Sequence, residues 1–253
     1  MIEHNEMVVT LRDVAERLDE LQMHYMVTGS FAMSVYTTAR TTMDIDMILE
    51  IRSADAERFE KKFLNDYYVD ASSIRRANEK QSMFNIISNF TGVKVDCIVK
   101  KPDRFEREKF ERRWRSKIGG TEFWVIAKED LILSKLNWAK DSHSELQFRD
   151  IRGLLESGAD EEFLYASISH MNLSEAWKAF EKMEDTSREI RALQQAYWMT
   201  LSEEERFRRC GEMFALAKRF VEARVPAGLT EEQKRRFVFR ELYGFDLPQH
   251  VSE

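Results

Sequence analysis

Two aspartates one residue apart, Asp44 and Asp46, stand in the run Thr42-Met43-Asp44-Ile45-Asp46-Met47-Ile48-Leu49. Side chains on a strand alternate faces with period 2, so both carboxylates share a face while Ile45 and Met47 turn the other way. Like charges held that close repel unless one takes a proton or a cation intervenes. Mg²⁺ suits such a place, because it prefers one or two protein carboxylates completed by phosphate oxygens of its substrate. The pair therefore points to phosphoryl or nucleotidyl transfer. Upstream, Tyr25-Met26-Val27-Thr28 reads as a short strand, Gly29-Ser30 as a turn and Phe31 to Val35 as the first turns of a helix. Gly29 lets the backbone approach an anion, and a helix N-terminus there aims free N–H groups at a phosphate, with the Ser30 hydroxyl as a further donor. Triphosphate and metal would then share one pocket.

A hydrophobic residue, Gly-Ser, a spacer of thirteen residues from Phe31 to Met43, then Asp-hydrophobic-Asp: in that order these residues resemble the signature of the nucleotidyltransferase superfamily, which includes polymerase β-like enzymes. The form Arg40-Thr41-Thr42-Met43-Asp44-Ile45-Asp46 looks most like the bacterial abortive-infection branch, the AbiEii-like toxins. The resemblance implies a metal-dependent transfer of a nucleoside monophosphate from an NTP to an acceptor hydroxyl on RNA, tRNA or protein, in a toxin–antitoxin setting. Mg²⁺ or Mn²⁺ would be the cofactor, held by Asp44 and Asp46 and completed by a third carboxylate on a neighbouring strand, the role carried to Asp96. Gly29, Ser30 and Arg40 would bind the nucleotide. Further on, Ser134-Lys135-Leu136 and Arg149-Asp150-Ile151 look like downstream motifs of the toxin branch, so that Lys135 would contact nucleotide phosphate and Asp150 would assist. Whether Asp96 or Asp150 is the third acid stays open. A different class of reading is also open, because members of a fold can keep its shape and lose its chemistry: a catalytically silent module that holds a nucleotide or a partner protein. A third is an enzyme modifying a partner protein or a small molecule such as an aminoglycoside.

The elements that must position these residues follow from periodicity. Thr10-Leu11-Arg12-Asp13 resembles a capping box, and Leu11, Val14, Leu18 and Leu21 recur at helical spacing, which predicts a helix ahead of the first strand. After the Asp44 strand, Ser53 is the expected cap of a helix carrying Phe59 and Phe63. Short β-like runs follow at Tyr67 to Val69 and Met83 to Ile87, then an alternating strand from Val93 to Val99 and a last strand from Glu122 to Ile126. Beyond it the patterns are helical, with Ile132, Leu136 and Ala139 on one stripe, Asp160 as a cap, and Glu181 to Arg188 as a hinge. Ser202-Glu203-Glu204-Glu205 and Thr230-Glu231-Glu232-Gln233 open two more helices as capping boxes. The expected fold class is α/β (α+β): a small mixed-sheet domain over 1–126, a helical domain over 127–185 and a C-terminal helical unit over 186–253, with the active site between sheet and helices. The pattern of Leu201, Ser202, a Glu-Arg run, a hydrophobic helix and a closing Arg240 to Gly244 resembles small helical proteins found with such nucleotidyltransferases, implying a regulatory module or a cognate helical partner protein.

Composition bounds the rest. A chain of 253 residues with 43% hydrophobic residues supplies a substantial core. No run approaches the roughly eighteen apolar residues of a membrane span, and Met1 to Glu6 has no basic region leading into an apolar run, so a cytoplasmic protein without membrane contact is expected. Two cysteines, Cys97 and Cys210, are too few for a disulfide framework and lack zinc spacing. The formal net charge of -6 argues against non-specific nucleic-acid binding by the whole molecule. Lys100 to Lys117 nevertheless carries nine Lys or Arg against four acids, with Phe105, Phe110 and Trp114 interleaved. That run reads either as a surface for a polyanion such as RNA or, more plainly, as an amphipathic helix with its aromatics inward.

Overall fold

Residues 5–38, 40–118, 120–142, 144–182 and 188–247 are described by a computed structural model. Helix α1 (Glu6–Glu20) buries Met7, Leu11, Val14 and Leu18 on one side. It begins earlier than the Thr10 capping box predicts. The cap is Asn5, whose side chain accepts from the Val8 N–H and donates to the Arg208 carbonyl at 2.8 Å. Thr10 is instead buried, its hydroxyl 2.8 Å from that of Thr91. The chain then runs through β1 (Tyr25–Thr28), α2 (Gly29–Met33), β2 (Asp44–Leu49), a 3-10 turn at Ser53–Asp55, α3 (Ala56–Phe63), β3 (Tyr67–Tyr68), α4 (Ala71–Lys80), β4 (Met83–Ser88), β5 (Lys94–Val99) and α5 (Arg104–Glu111). Next come β6 (Trp114–Ile118), β7 (Thr121–Val125), α6 (Lys128–Ser142), α7 (Glu145–Glu156), α8 (Glu161–His170), α9 (Ser174–Glu181), α10 (Arg188–Met199), α11 (Glu203–Glu222) and α12 (Glu231–Tyr243). Among the described residues, strand ends at Val125, as the sequence pattern predicts. Most of the expected hinge at Glu181 to Arg188 lies outside the described residues.

The strands form one mixed sheet in the order β3-β4-β5-β2-β1-β7-β6. β2 sits near its middle, antiparallel to β1 and parallel to β5. A central strand is flanked on both edges by hydrogen-bonded neighbours, so its side chains are held in fixed register. Helix α2 has only five residues and starts two positions before the expected Phe31, too short to accumulate much dipole. Ser53 opens the 3-10 turn rather than capping α3, and the Asp55 carboxylate accepts the Arg52 N–H at 3.2 Å. Helix α4, which the sequence reading lacks, buries only Ala71, Ile74 and Ala77, and Asp70 caps it by accepting from the Ser72 and Ser73 N–H groups.

The basic run is not one amphipathic helix. It divides into α5 and the sheet-edge strand β6, and its charges are largely spent within the molecule. Lys109 pairs with Glu106 at 2.6 Å, Arg113 lies 4.5 Å and Arg115 4.3 Å from the Trp124 ring centroid, and Arg112 reaches Asp130 with two bonds of 2.7 and 2.9 Å.

Aromatic packing joins the C-terminal helices to the sheet. Phe207 of α11 meets Phe31 at 5.1 Å and Phe123 at 5.5 Å between centroids, and Phe207, Cys210 and Phe214 belong to the same buried cluster as the strands. Both cysteines are buried free thiols. No helix among the described residues is long and apolar enough to cross a membrane.

Asp130 is fully buried, and the Arg112 guanidinium supplies its bidentate counter-charge. Asp130→Ala leaves that cation, largely covered, with only its 3.9 Å contact to Glu108. Urea denaturation should show a loss of about 3 kcal/mol in unfolding free energy; a loss below about 1 kcal/mol would place the pair among ordinary surface bridges.

Candidate functional site

Register and alternation assemble the site. Across the parallel β2–β5 pair, Asp44 lies opposite Lys94 and Asp46 opposite Asp96. Positions two apart share a face, so three carboxylates and one ammonium form a patch two strands wide. Ile45 and Met47 point into the core and are fully buried. On the other side of β2, Asp46 pairs with Thr28 at the end of β1, which brings the Gly29 turn alongside it. Gly29 has φ +66°, a region open chiefly to glycine. A Cβ there would collide with the Asp46 carboxylate. The glycine thus serves both the turn and the close seating of backbone on acid.

Beside the turn, a chain of polar contacts links the remaining expected residues. Arg40 Nη2 donates to Ser30 Oγ at 2.6 Å and Arg40 Nε to Asp150 Oδ1 at 3.1 Å. Asp150 Oδ2 also receives Lys135 Nζ at 2.7 Å, and Lys135 reaches Gln147 Oε1 at 3.3 Å. Asp44, Asp46 and Asp96 are therefore brought together, with Gly29 against Asp46 and Ser30 and Arg40 adjacent. Asp150 stands apart from the other acids as the shared counter-ion of Arg40 and Lys135. Lys135 is turned to Asp150 with its side chain 5% exposed, whereas the Arg40 side chain keeps 31% of its surface. Of the two cations on Asp150, Arg40 keeps a solvent-facing surface and Lys135 is buried.

Lys94 is the residue the sequence reading missed. Its ammonium lies 2.7 Å from Asp96 Oδ2 and 3.2 Å from Asp44 Oδ2, bridging the two acids. The signal was present, since Lys94 precedes Asp96 by two positions on a strand. Asn85 of β4 faces Asp96 across the antiparallel pair, its side-chain amide 2.9 Å from Asp96 Oδ1. Tyr243, at the end of α12, accepts the Lys94 backbone N–H at 3.1 Å and donates to the Met43 carbonyl at 2.8 Å. Nothing in the local sequence ties Tyr243 to residues this distant.

Burial dominates the electrostatics. It pushes the Asp46 carboxyl up to about 7, the charges of Asp44 and Asp96 push the same way, and Lys135 and Lys94 only partly offset them. Asp96 is also held above the usual carboxylate range, first by burial and further by Asp44, with Lys94 opposing. Burial pulls the Lys94 ammonium down, but its ion pairs with Asp96 and Asp44 outweigh it and hold the group above its ordinary value. Lys135 lies below its ordinary value because of burial, against the pull of Asp150. Among the described residues, no three His, Cys, Asp or Glu side chains converge as a ready-made metal cage, and Lys94 is the cation that the acids engage instead.

A cavity of about 660 Å³ lies between the β4–β5 turn and helices α11 and α12, with Phe90, Gly92, Lys218, Phe239 and Leu242 in its wall. It does not contain the acids. Tyr243 is the link, since its hydroxyl also lies 3.2 Å from the carbonyl of the wall residue Gly92.

No protein-family model matches this sequence, and no curated protein matches it significantly. Among solved structures, the chain is similar to an antigenic nucleotidyltransferase-like protein from Paracoccidioides brasiliensis, at 16% identity over 67% of this chain and 91% of that one, with a TM-score of 0.39. It is also similar to the lincosamide antibiotic adenylyltransferase LnuA with lincomycin bound, at 13% identity over 60% of this chain and 95% of that one, with a TM-score of 0.40.

The raised Asp46 carboxyl fixes the sign of a pH dependence. Between its ordinary value of 3.8 and about 7 the folded protein holds a proton that the unfolded chain has released. This contribution to stability therefore falls as pH rises through that window and levels off above it. Asp46→Asn removes the titrating group. In urea titrations with EDTA, the variant is expected to show a flatter profile and to be more stable than wild type at pH 8; parallel profiles would show that Asp46 is not the group responsible.

Proposed function

We propose that this protein is a nucleotidyltransferase that moves a nucleoside monophosphate from an NTP to an acceptor hydroxyl. The observation that carries the reading is the seating of the Gly29 turn on the Asp46 carboxylate while Asp46 stands in register with Asp96. The Gly29 backbone and an acidic patch are thereby held in one place by hydrogen-bonded strands.

The donor set suits a hard divalent cation. Once all three carboxylates are ionised they outnumber the single Lys94 ammonium, and all donors are oxygens. Asp44, Asp46 and Asp96 would hold Mg²⁺ or Mn²⁺, which when bound supplies charge compensation for the triphosphate. The chain's own residues do the rest. Arg40, oriented by Asp150, meets phosphate oxygens with its exposed face, and the Ser30 hydroxyl beside the Gly29 turn adds a donor. Lys135, buried against Asp150, keeps positive potential behind Asp46. In the transfer, the acceptor oxygen forms a bond to the α-phosphorus, the bond to the bridging oxygen of the β-phosphate breaks, and pyrophosphate leaves with that electron pair. Asp96 accepts the hydroxyl proton.

The Arg40 to Asp46 motif supports assignment to the AbiEii-like branch, and with it an RNA, tRNA or protein acceptor and a toxin role. Growth arrest on expression that Asp44→Ala relieves would fit that assignment. The second reading, a silent nucleotide- or partner-binding module, is favoured by one observation: Lys94 already satisfies Asp44 and Asp96 without a metal. Calorimetry with each NTP, with and without Mg²⁺, separates the two when product is measured alongside.

The deciding assay incubates wild type and Asp46→Asn with each α-³²P-labelled NTP, Mg²⁺ and cellular RNA or protein. Label transfer should fall by roughly a hundredfold or more in the variant, as does loss of a group that acts in the transition state. Equal transfer by both proteins would remove Asp46 from the chemistry.

A further inference from the structure

From the Lys94 contacts we infer that this lysine is a built-in counter-ion that sets the metal affinity of the acidic patch, and that Tyr243 of α12 holds it there. The inference rests on the metal-dependent reading above. Its basis is geometric: one ammonium bridges Asp96 and Asp44, the two acids that flank Asp46 on the shared face. The side chain is only 11% exposed, so the ion pairs work against little competing water. It is also confined from above. The Tyr243 ring centroid lies 5.7 Å from the ammonium, within cation–π range. The phenolic oxygen accepts the Lys94 N–H and donates to Met43, the residue just before Asp44. One tyrosine therefore ties the backbone of both strands to the lysine between them.

Two consequences follow for a divalent ion. The ammonium occupies Oδ2 of Asp44 and Oδ2 of Asp96, so the lysine competes with the ion for those oxygens. The positive charge also remains nearby and opposes a second cation. Both effects weaken metal binding. Both disappear in Lys94→Met, which keeps the length of the side chain and removes its charge. A lysine serving only to hold the strands together would act oppositely, since its loss would let the acids spread and would weaken binding.

The test is Mn²⁺ affinity of the full-length protein, read by electron paramagnetic resonance of free Mn²⁺. Lys94→Met is expected to bind Mn²⁺ roughly tenfold more tightly than wild type, and to melt at a lower temperature without metal because three carboxylates then stand uncompensated. Wild-type binding with unchanged or weaker binding in Lys94→Met overturns the inference and leaves the metal reading standing. Absence of Mn²⁺ binding in both, with Asp46→Asn indistinguishable from wild type, sinks the metal reading and the inference together. Wild-type protein offers a second readout that needs no variant. The Lys94 side-chain ¹⁵N resonance, protected by its ion pairs, should shift and lose protection as Mg²⁺ is added, and a resonance untouched by saturating Mg²⁺ would show that the ammonium never leaves Asp44.

Discussion

Three carboxylates crowded on one face of two adjoining strands are the constraint from which the rest of the structure follows. Burial, with the repulsion of Asp44 and Asp96 added to it, drives Asp46 up to about 7. A fold that keeps such a patch must hold it rigidly, or the acids would part and rehydrate. The central position of β2 supplies that rigidity. Six consecutive residues, Asp44 to Leu49, pair with β5 on one side, and the last four pair with β1 on the other. Separation of the carboxylates would require breaking ladder hydrogen bonds in the middle of a mixed sheet.

Counter-charge is distributed around the patch in two layers. Lys94 touches two of the acids directly, while Lys135 and Arg40 are held by Asp150. The second layer has a geometric consequence. Asp150 is nearly fully buried, with its side chain 3% exposed, so it draws Lys135 inward and fixes Arg40 by its Nε, leaving the other end of the guanidinium for Ser30. A buried acid shared by two cations satisfies itself and orients both. Asp150 is thereby explained as a positioning group, which is why it is absent from the carboxylate face despite its place in a downstream motif.

What was legible in the sequence were features with short-range causes. Alternation placed Asp44 and Asp46 on one face, strand character in Val93 to Val99 placed Asp96 on another strand, and Gly29 marked a turn that only a residue without Cβ fits. Asp160, Ser202 and Thr230 were legible as caps, because each cap bond spans three residues. The mixed sheet followed by helices matches the expected fold class. The failures share a physical origin in long-range packing. Asn5, not Thr10, caps α1, because Thr10 is claimed by Thr91 and Asn5 by Arg208. The basic run divides into α5 and β6 because Arg113 and Arg115 stack on Trp124 of the neighbouring strand β7, a contact with no trace in local periodicity. Lys94 was readable from its spacing to Asp96, but its meaning depended on a register that the sequence leaves unstated.

The C-terminal helices then have a reason to be more than cover. α11 contributes Phe207 to the core under the Gly29 helix, against Phe31, and α12 ends with Tyr243 bound to both strands of the acid patch. The two contacts approach the site from different directions, one beneath the turn and one over the lysine. Tyr243 packs in a small cluster of its own with Ile87, Phe239 and Leu247, beside the main core. The cavity bounded by α12 and the β4–β5 turn adjoins this same connection through Gly92. The cavity wall and the acid patch therefore share one phenolic hydroxyl, which meets Gly92, Lys94 and Met43.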